Sequence, residues 1–266
     1  MILETANLKI YTEEKGTGEP VLFIGGTGGD LRVKPNVLDG PLPRHHRVIT
    51  YDQRGLGQTE KPNGPYTMAQ YADDAAALLS ILKLSKVDVV GVSFGGMVAQ
   101  HLAIRHPSKI RKLVLCCTSS GGSTASYPFH ELPEDITPVQ RLLKLMPISD
   151  RRRGKAWQDA NPDTVKKLIT ETENAAISDH KPADYQRGAI LQIEARKDHD
   201  TNDALPKIHL PTLICAGRYD GIAPPENQTK LNELISDSRL NWYEGGHMFM
   251  VQDKNAWKDI IAYLNS

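Results

Sequence analysis

Ser93, Asp220 and His247 are the side chains of this sequence best suited to nucleophilic chemistry. They occur in the segments "GVSFGG", "AGRYDG" and "YEGGHM". A serine hydroxyl is a poor nucleophile at its free pKa, so it needs a neighbouring base to accept its proton and an acid to orient that base. Taken singly, an aspartate before a glycine is usually a turn residue. The chain has nine histidines, and a single histidine after a strand is usually structural or exposed. Together, in the chain order Ser–Asp–His, they predict a catalytic triad with Ser93 as nucleophile.

The turn around Ser93 accounts for three glycines within six residues. Val87–Val92 is a near-continuous apolar run that predicts a buried strand, and 94–106 predicts a helix that Pro107 ends. Glycine costs conformational entropy, so it is expected where the backbone requires it. A strand-to-helix turn this tight leaves room for glycine alone beside Ser93, and the serine hydroxyl then stands clear of the sheet.

The acid and the base are also predicted at the ends of strands. Asp220 follows the apolar run 212–216, and His247 follows the run 240–243. Functional residues of a parallel sheet collect at the carboxyl ends of its strands. The three candidate residues are therefore expected at one edge of the sheet.

Strands and helices alternate along the chain. The strands are mostly apolar runs, which is typical of a parallel sheet covered by helices on both faces, so an α/β fold is predicted. Further strands are predicted at 8–11, 21–24, 47–51 and 112–117, and further helices at 67–84, 225–235 and 254–264.

The stretch between the predicted strands 112–117 and 212–216 has a different composition. It is rich in charge and in Leu, Met and Ile at helical spacing, and it predicts helices at 137–147, 163–177 and 182–196. This pattern indicates a helical insertion between two strands of one sheet. We therefore predict a core formed by residues 1–120 and 206–266 and a helical cap formed by 121–205.

Composition disfavours several classes of function. The 266-residue chain carries 32 basic and 32 acidic side chains, so its charge does not favour a nucleic acid or an anionic membrane as partner. Its start lacks the features of a signal peptide and no apolar run is long enough to span a bilayer, so a cytoplasmic location is expected. Cys116, Cys117 and Cys215 lie in apolar runs and are expected to be buried reduced thiols. No cofactor or metal is predicted, and a homo-oligomer is compatible with these features.

These motifs together resemble the α/β-hydrolase family along the whole chain. "GVSFGG" resembles its nucleophile elbow, "YDQRGLGQTEKP" its D-x-R-G-x-G-x-S segment with Thr59 in place of serine, "AGRYDGIAPP" its acid loop and "YEGGHMFM" its histidine loop. The resemblance implies an eight-stranded, mostly parallel sheet with a helical cap inserted after the sixth strand. Some relatives carry the acid after that strand, but 118–124 contains no Asp or Glu, which favours Asp220.

The resemblance also implies an oxyanion hole made of two backbone N–H groups. One would come from Phe94, the residue after the nucleophile. The other would come from "FIGGTGGD", where Gly25 stands in place of the family's usual histidine. By position Thr27 supplies the second N–H group, with Gly26 as the alternative.

A substrate pocket is expected beside the triad. The basic run Arg151–Arg153 is either a solvated turn or a site for a substrate carboxylate. The segment "KDHDTND" at 197–203 is interpreted as a solvated loop in preference to a metal site. Core packing is the alternative role for each of the candidate lining residues, which are Gly26, Met97, Met146, Trp157, Met248 and Phe249.

The expected reaction is hydrolysis of a small carboxylic ester or lactone through an acyl-enzyme on Ser93. Scaffold segments resemble 3-oxoadipate enol-lactonases, the "GGTGG" loop resembles some cofactor-free haloperoxidases or perhydrolases, and carbon–carbon bond hydrolases share the triad. A hydrolase-like small-molecule receptor is the non-enzymatic alternative. Haloalkane dehalogenases and epoxide hydrolases are disfavoured, because both would need an aspartate where Ser93 stands.

Overall fold

A single eight-stranded sheet forms the centre of the computed structural model. The structure describes residues 1–133, 135–178 and 183–266, with the backbone alone for 175–178 and 183. The strands are β1 (Ile2–Glu4), β2 (Lys9–Lys15), β3 (Pro20–Ile24), β4 (Arg47–Tyr51), β5 (Val87–Val92), β6 (Ile110–Cys116), β7 (Thr212–Gly217) and β8 (Ser238–Tyr243).

The strands lie in the order β1-β2-β4-β3-β5-β6-β7-β8. The β1–β2 and β2–β4 pairs are antiparallel and the other pairs are parallel, so the predicted α/β fold with a mostly parallel sheet is confirmed. The sequence did not predict β1. Three residues are too few for a periodic signal, and this edge strand forms by pairing with β2, where Leu3 lies opposite Ile10.

The helices follow the predicted alternation. They are α1 (Met68–Ile81), α2 (Phe94–Arg105), α3 (Pro138–Ser149), α4 (Lys155–Ala160), α5 (Pro162–Ser178), α6 (Ala183–Ala195), α7 (Pro225–Leu234), α8 (Phe249–Gln252) and α9 (Ala256–Asn265). At the start of α1 the Thr67 hydroxyl accepts the Gln70 N–H, and the Gln70 side chain accepts the Thr67 N–H. The helix ends before the predicted residue 84, since Lys83 has a left-handed φ of 56°.

Both faces of the sheet are covered by helices, because successive side chains of a strand point to opposite sides. In β5, Val89 belongs to one apolar cluster and Val90 to the other. The first cluster contains buried residues of α1, α2 and α7, and the second contains buried residues of α8 and α9. The core therefore lies in two layers with the sheet between them.

Helices α3, α4, α5 and α6 lie between β6 and β7, where the sequence predicts a helical insertion. Residue 182, the first of the third predicted cap helix, lies outside the described residues. The insertion packs closely against the core, for example where a Cβ added at Gly188 of α6 would lie 1.9 Å from the Gly55 carbonyl oxygen. The proposed domain bounds at 121 and 205 remain a prediction.

Candidate active site

Ser93 sits at the carboxyl end of β5, and α2 begins at the next residue. Its backbone has φ +54° and ψ −119°, a strained conformation for an L-residue. The Ser93 N–H donates to the Cys116 carbonyl at 2.8 Å, and the Ser93 carbonyl accepts the Thr118 hydroxyl at 2.8 Å. The neighbouring strand β6 and the loop after it thus hold the strained turn on both sides, while Ser93 remains half-buried and accessible.

Close packing of the turn explains its glycines. A Cβ added at Gly95 would lie 2.1 Å from the Ile24 carbonyl oxygen, and one added at Gly96 would lie 2.6 Å from the Thr118 Cβ. No side chain fits at either distance without movement of the backbone. These contacts bring the start of α2 against the end of β3, which leads into the predicted oxyanion loop.

His247 lies between Ser93 and Asp220. Its Nε2 is 3.0 Å from Ser93 Oγ, and its Nδ1 is 2.8 Å from Asp220 Oδ2. A carboxylate accepts hydrogen bonds, so the proton sits on Nδ1 and leaves Nε2 free to accept the serine O–H. The structure therefore brings the three predicted residues together in one hydrogen-bonded row, with His247 in the middle.

Two backbone N–H groups hold the Asp220 carboxylate through Oδ1, the oxygen that does not contact His247. Oδ1 accepts the N–H groups of Ile222 at 2.7 Å and Ala223 at 3.0 Å, and the residue is 1% exposed. These bonds fix the plane of the carboxylate, so Oδ2 is directed at the imidazole.

The end of α3 positions both the acid loop and the histidine loop. The Ile148 carbonyl accepts the Gly221 N–H at 2.9 Å, and the Ser149 carbonyl accepts the His247 N–H at 2.6 Å. The last carbonyls of a helix have no partner within the helix, so they are available for such bonds. This role could not be predicted from the sequence, because every helix ends in backbone carbonyls whatever its side chains are.

The predicted oxyanion loop lies directly beside the nucleophile. A Cβ added at Gly26 would be 3.5 Å from the Ser93 Cβ. Among the described residues, the backbone N–H groups of Gly26, Thr27 and Phe94 have no hydrogen-bond acceptor. They are therefore available to a developing oxyanion, and the choice between Gly26 and Thr27 stays open.

The segment "YDQRGLGQT" supports this loop. The Gln53 side chain donates to the Gly25 carbonyl at 2.8 Å, and Asp52 Oδ1 accepts the Leu31 N–H at 2.7 Å. Thr59, which replaces the family's usual serine, is buried and donates its hydroxyl to the Asp52 carbonyl at 2.6 Å. Burial raises the pKa of Asp52, and the backbone N–H groups bound to it oppose that shift.

Gln192 of α6 is a support that the sequence did not reveal. Its side-chain oxygen accepts the Gly28 N–H at 2.8 Å, and the residue is fully buried. A glutamine in the middle of an amphipathic helix carries no local signal of such a contact. The hydrogen bond between Gly28 and Gln192 therefore links the cap to the oxyanion loop.

Cys117 places a thiol behind the triad. Its Sγ lies within 4.8 Å of ligand atoms of Asp220 and His247, and this is the one cluster with metal-ligand spacing among the described residues. Burial, with a smaller contribution from Asp220, raises the pKa of the Cys117 thiol well above its usual value. The thiol is therefore neutral and does not compete with Ser93 as a nucleophile. Cys116, Cys117 and Cys215 are all free and buried, as predicted.

Two cavities meet at Met248, the residue after His247. A groove of about 630 Å³ runs along α3 and α5 and includes Met146, Arg141 and Arg153 in its lining. A cleft of about 420 Å³ lies against the oxyanion loop and includes Gly26. Met248 lines both cavities and is 56% exposed. Neither lining contains Ser93, Asp220 or His247, but Met248 follows His247 in the chain, and a Cβ added at Gly26 of the cleft would lie 3.5 Å from the Ser93 Cβ.

Three of the predicted pocket residues line neither the groove nor the cleft. Phe249 is fully buried and stacks on Tyr243 with ring centroids 5.0 Å apart, so its assignment to the pocket was wrong. Trp157 lines neither the groove nor the cleft, and the Arg153 guanidinium lies over its ring at 5.3 Å. Met97 is 3% exposed and lines a separate cavity of about 60 Å³.

The Arg151–Arg153 run forms a short 3-10 helix, in which Arg152 and Arg153 have different surroundings. Arg152 pairs with Asp150 at 2.7 Å and lies 4.4 Å from the centre of the Tyr219 ring. Arg153 lines the groove and has no carboxylate partner among the described residues. One arginine of the run therefore faces the space in which an anionic group would bind.

The segment 197–203 is only partly solvated, which corrects the sequence interpretation. His199 is 5% exposed and Thr201 is 2% exposed. His199 Nε2 lies 3.0 Å from the Ser119 carbonyl, and the Thr201 hydroxyl donates to Gln100 Oε1 at 2.7 Å. The acids that suggested a solvated loop alternate with residues that anchor the segment to α2.

A sheet of this topology with a Ser–His–Asp row at its carboxyl edge defines a class of hydrolases. The model of the alpha/beta hydrolase fold family matches residues 19–254, and the chain belongs to this family. In the part of the chain that the structure describes, no helix has both the length and the apolarity to cross a membrane.

Relatives in the family differ in the bonds that they cleave. The chain is 34% identical to 2-hydroxymuconate semialdehyde hydrolase of Pseudomonas sp. strain CF600, over 97% of this chain and 90% of that protein. It is 29% identical to 2-hydroxy-6-oxo-2,4-heptadienoate hydrolase of Pseudomonas putida, over 92% and 88% of the two chains. The enol-lactonase structure from Burkholderia xenovorans LB400 matches the fold with a TM-score of 0.80 and 22% identity, over 100% of both chains.

Proposed function

We propose that this protein is a serine hydrolase that cleaves a small carboxylic ester or lactone through a covalent acyl-enzyme. The observation that carries the proposal is the hydrogen-bonded row Ser93–His247–Asp220, with distances of 3.0 Å and 2.8 Å. Nucleophile, base and orienting acid are the parts that acyl transfer requires of side chains.

The reaction begins at the Ser93 hydroxyl. His247 Nε2 accepts the proton as Ser93 Oγ forms a bond to the substrate carbonyl carbon. The carbonyl oxygen becomes an oxyanion, and the N–H groups of Phe94 and of Thr27 or Gly26 bind it. Each such donor lowers the barrier by about 3–4 kcal/mol.

Collapse of the tetrahedral intermediate completes the first half of the reaction. The bond to the leaving alkoxide breaks, and His247 gives its proton to that oxygen. Water then attacks the acyl-enzyme with His247 again as base, and the acid product leaves Ser93 regenerated. Asp220 keeps the imidazole in one tautomer and stabilises its charged form in both halves.

The groove and the cleft on either side of Met248 support a substrate of modest size. Apolar side chains of α3 and α5 line the groove, which favours an apolar acyl or alcohol part there. Ligand cavities in proteins are commonly about 300–1,000 Å³, and both spaces are within this range.

Hydrolysis of a carbon–carbon bond in a carboxylate-bearing ketone is the second candidate. Two observations favour it. The relative at 34% identity is named as a semialdehyde hydrolase, and Arg141 and Arg153 line the groove without carboxylate partners among the described residues. An unpaired arginine is well suited to binding a substrate carboxylate.

Hydrolysis of p-nitrophenyl esters from acetate to octanoate tests the proposal, with 3-oxoadipate enol-lactone and a 2-hydroxy-6-oxo-dienoate measured alongside. Wild type is compared with Ser93→Ala and with Ser108→Ala. Ser108 is exposed and precedes the amino end of β6, at the opposite edge of the sheet from Ser93, so it is the control.

Wild type and Ser108→Ala are expected to hydrolyse short esters or the lactone at equal rates, with Ser93→Ala slower by about 10³-fold or more. A preference of the wild type for the dienoate would replace the ester proposal with the second candidate. Equal, feeble rates in wild type and Ser93→Ala on all substrates would contradict both and favour a receptor.

A further inference from the structure

Arg196 is a buried cation that the proposed reaction does not use. It follows α6, is 7% exposed, and has no carboxylate of the described residues within 4.0 Å of its guanidinium. Nη2 donates to Ser126 Oγ and to the Tyr127 carbonyl, the latter at 3.3 Å, and the guanidinium lies 4.9 Å from the centre of the Phe129 ring. Nη1 is buried and has no acceptor among the described residues.

This unpaired charge is costly to the fold. Burial lowers the pKa of Arg196 to about 10, so the side chain still carries its positive charge at neutral pH. Burial disfavours a charge that has no partner of opposite sign, and buried charges in proteins are normally paired. A ligand of opposite charge would remove most of that cost.

Arg196 lines a cavity of about 60 Å³ that suits a small ligand. A water molecule needs about 10–15 Å³ measured in this way, so the cavity has room for a compact ion but not for a substrate. It shares no lining residue with the groove or the cleft beside Met248. Its ligand would therefore come from solution.

The lining of this cavity is suited to an anion. Its charged or basic side chains are His130, Arg196, Lys197 and His199, and there is no carboxylate among the described residues that line it. Ser119 also lines it, and its hydroxyl is buried without a partner in the described structure. Arg196 and Ser119 therefore line the same cavity, and each carries a buried hydrogen-bond donor that has no acceptor among the described residues.

We propose that this cavity is a binding site for a compact monovalent anion such as chloride, bromide or formate, held by Arg196 Nη1 and the Ser119 hydroxyl. The anion would neutralise the guanidinium and link the end of α6 to the loop after β6. The site is independent of the bond that the enzyme cleaves.

The melting temperature of the full chain tests the site. Sodium chloride, bromide or formate replaces sodium gluconate at constant ionic strength, since gluconate is too large for 60 Å³. Wild type is expected to show a rise in Tm that begins near the Kd of the anion and continues at about 3 °C for each ten-fold increase in anion concentration above it. Arg196→Met removes the charge and should lose the rise. Arg141→Met should keep it and is the matched control, because Arg141 also lies over the Phe129 ring, at 5.7 Å.

Bromide soaked into crystals of the wild type gives a second readout that needs no variant. The proposal expects an anomalous peak within hydrogen-bond distance of Arg196 Nη1. It is overturned by the absence of that peak, by equal Tm curves in bromide and gluconate, or by an equal bromide response in wild type and Arg196→Met.

Discussion

The two carboxylate oxygens of Asp220 have separate partners, so one substitution can separate structure from catalysis. Asp220→Asn keeps an oxygen for the N–H groups of Ile222 and Ala223 and therefore presents its N–H₂ group to His247. The imidazole then loses its favoured tautomer and the charge that stabilises it. We expect kcat to fall by about 10⁴-fold with an unchanged melting temperature, measured on the best ester of the panel.

Asp253→Asn is the matched control for this substitution. Asp253 also accepts two backbone N–H groups, from Glu244 and Asn255, but it does not contact the triad. Its kcat should equal that of the wild type. A loss of less than ten-fold in Asp220→Asn would contradict the assignment of Asp220 as the orienting acid.

At the scale of elements, the contact between α2 and β3 decides whether the nucleophile turn forms. Gly95→Ala puts a methyl group 2.1 Å from the Ile24 carbonyl oxygen, so either the helix or the strand must move. We expect the free energy of unfolding to fall by about 3 kcal/mol or more, measured by urea denaturation.

Gly154→Ala is the control for the glycine prediction, because a Cβ at Gly154 has nothing within 4 Å and its φ is −67°. Its effect should stay within about 0.5 kcal/mol. Equal stabilities of Gly95→Ala and Gly154→Ala would show that the close approach at Gly95 is not required.

The contact of α6 with the oxyanion loop makes Gln192 a positioning residue. Gln192→Leu removes the acceptor of the Gly28 N–H and frees the loop that carries Thr27. We expect kcat to fall about 5- to 10-fold with little change in KM, since the loop acts on the oxyanion and not on the bound ester. Gln186→Leu, at an exposed site of the same helix, is the control. A rise in KM at constant kcat would contradict this role.

Across the molecule as a whole, two histidines join α2 to the segment that follows α6. His199 Nε2–H donates to the Ser119 carbonyl, so His199 Nδ1 accepts the Nε2–H of His101 at 3.1 Å. Burial lowers the pKa of each imidazole to about 4. Both are therefore neutral in the folded protein at pH 7.

Because burial lowers both pKa values, this histidine pair makes the folded protein less stable as the pH falls below about 7. An unfolded imidazole has a pKa of about 6.5, so between that value and about 4 the unfolded chain binds more protons than the folded chain. The free energy of unfolding should be flat above about pH 7 and should fall as pH falls through this window, by up to about 1.4 kcal/mol per pH unit for each histidine.

His101→Gln keeps a side-chain N–H for His199 and removes one titrating group. Urea denaturation from pH 4.5 to 7.5 should show a smaller pH slope in this variant than in wild type. His209→Gln, at an exposed site, is the control. A slope in His101→Gln equal to that of wild type would contradict the proposed role of this pair.

The sequence predicted most of the sheet because its strands are long apolar runs bounded by turns. Val87–Val92 followed by "GVSFGG" contains both the strand and the strained turn, since the glycines are required locally. The triad residues followed from the same logic, because each lies directly after a predicted strand.

The parts that escaped prediction depend on contacts distant in sequence. Gln192 and Arg196 gain their surroundings when α6 packs against loops of the core, and neither has a local signature. Phe249 follows the histidine loop and was expected in the pocket, but a turn of helix directs it onto Tyr243. A residue close in sequence to His247 can therefore face the core instead of the pocket, as Phe249 does.

Covalent labelling by a fluorophosphonate, followed by mass spectrometry of the peptides, tests whether Ser93 is an activated nucleophile. Ser93 Oγ attacks the phosphorus and fluoride leaves, so an activated serine retains the phosphonyl group. We predict one adduct, on the peptide that contains Ser93, with labelling abolished in Ser93→Ala and slowed at least 10³-fold in His247→Ala. An active enzyme that is labelled on another residue, or on none, would contradict the account.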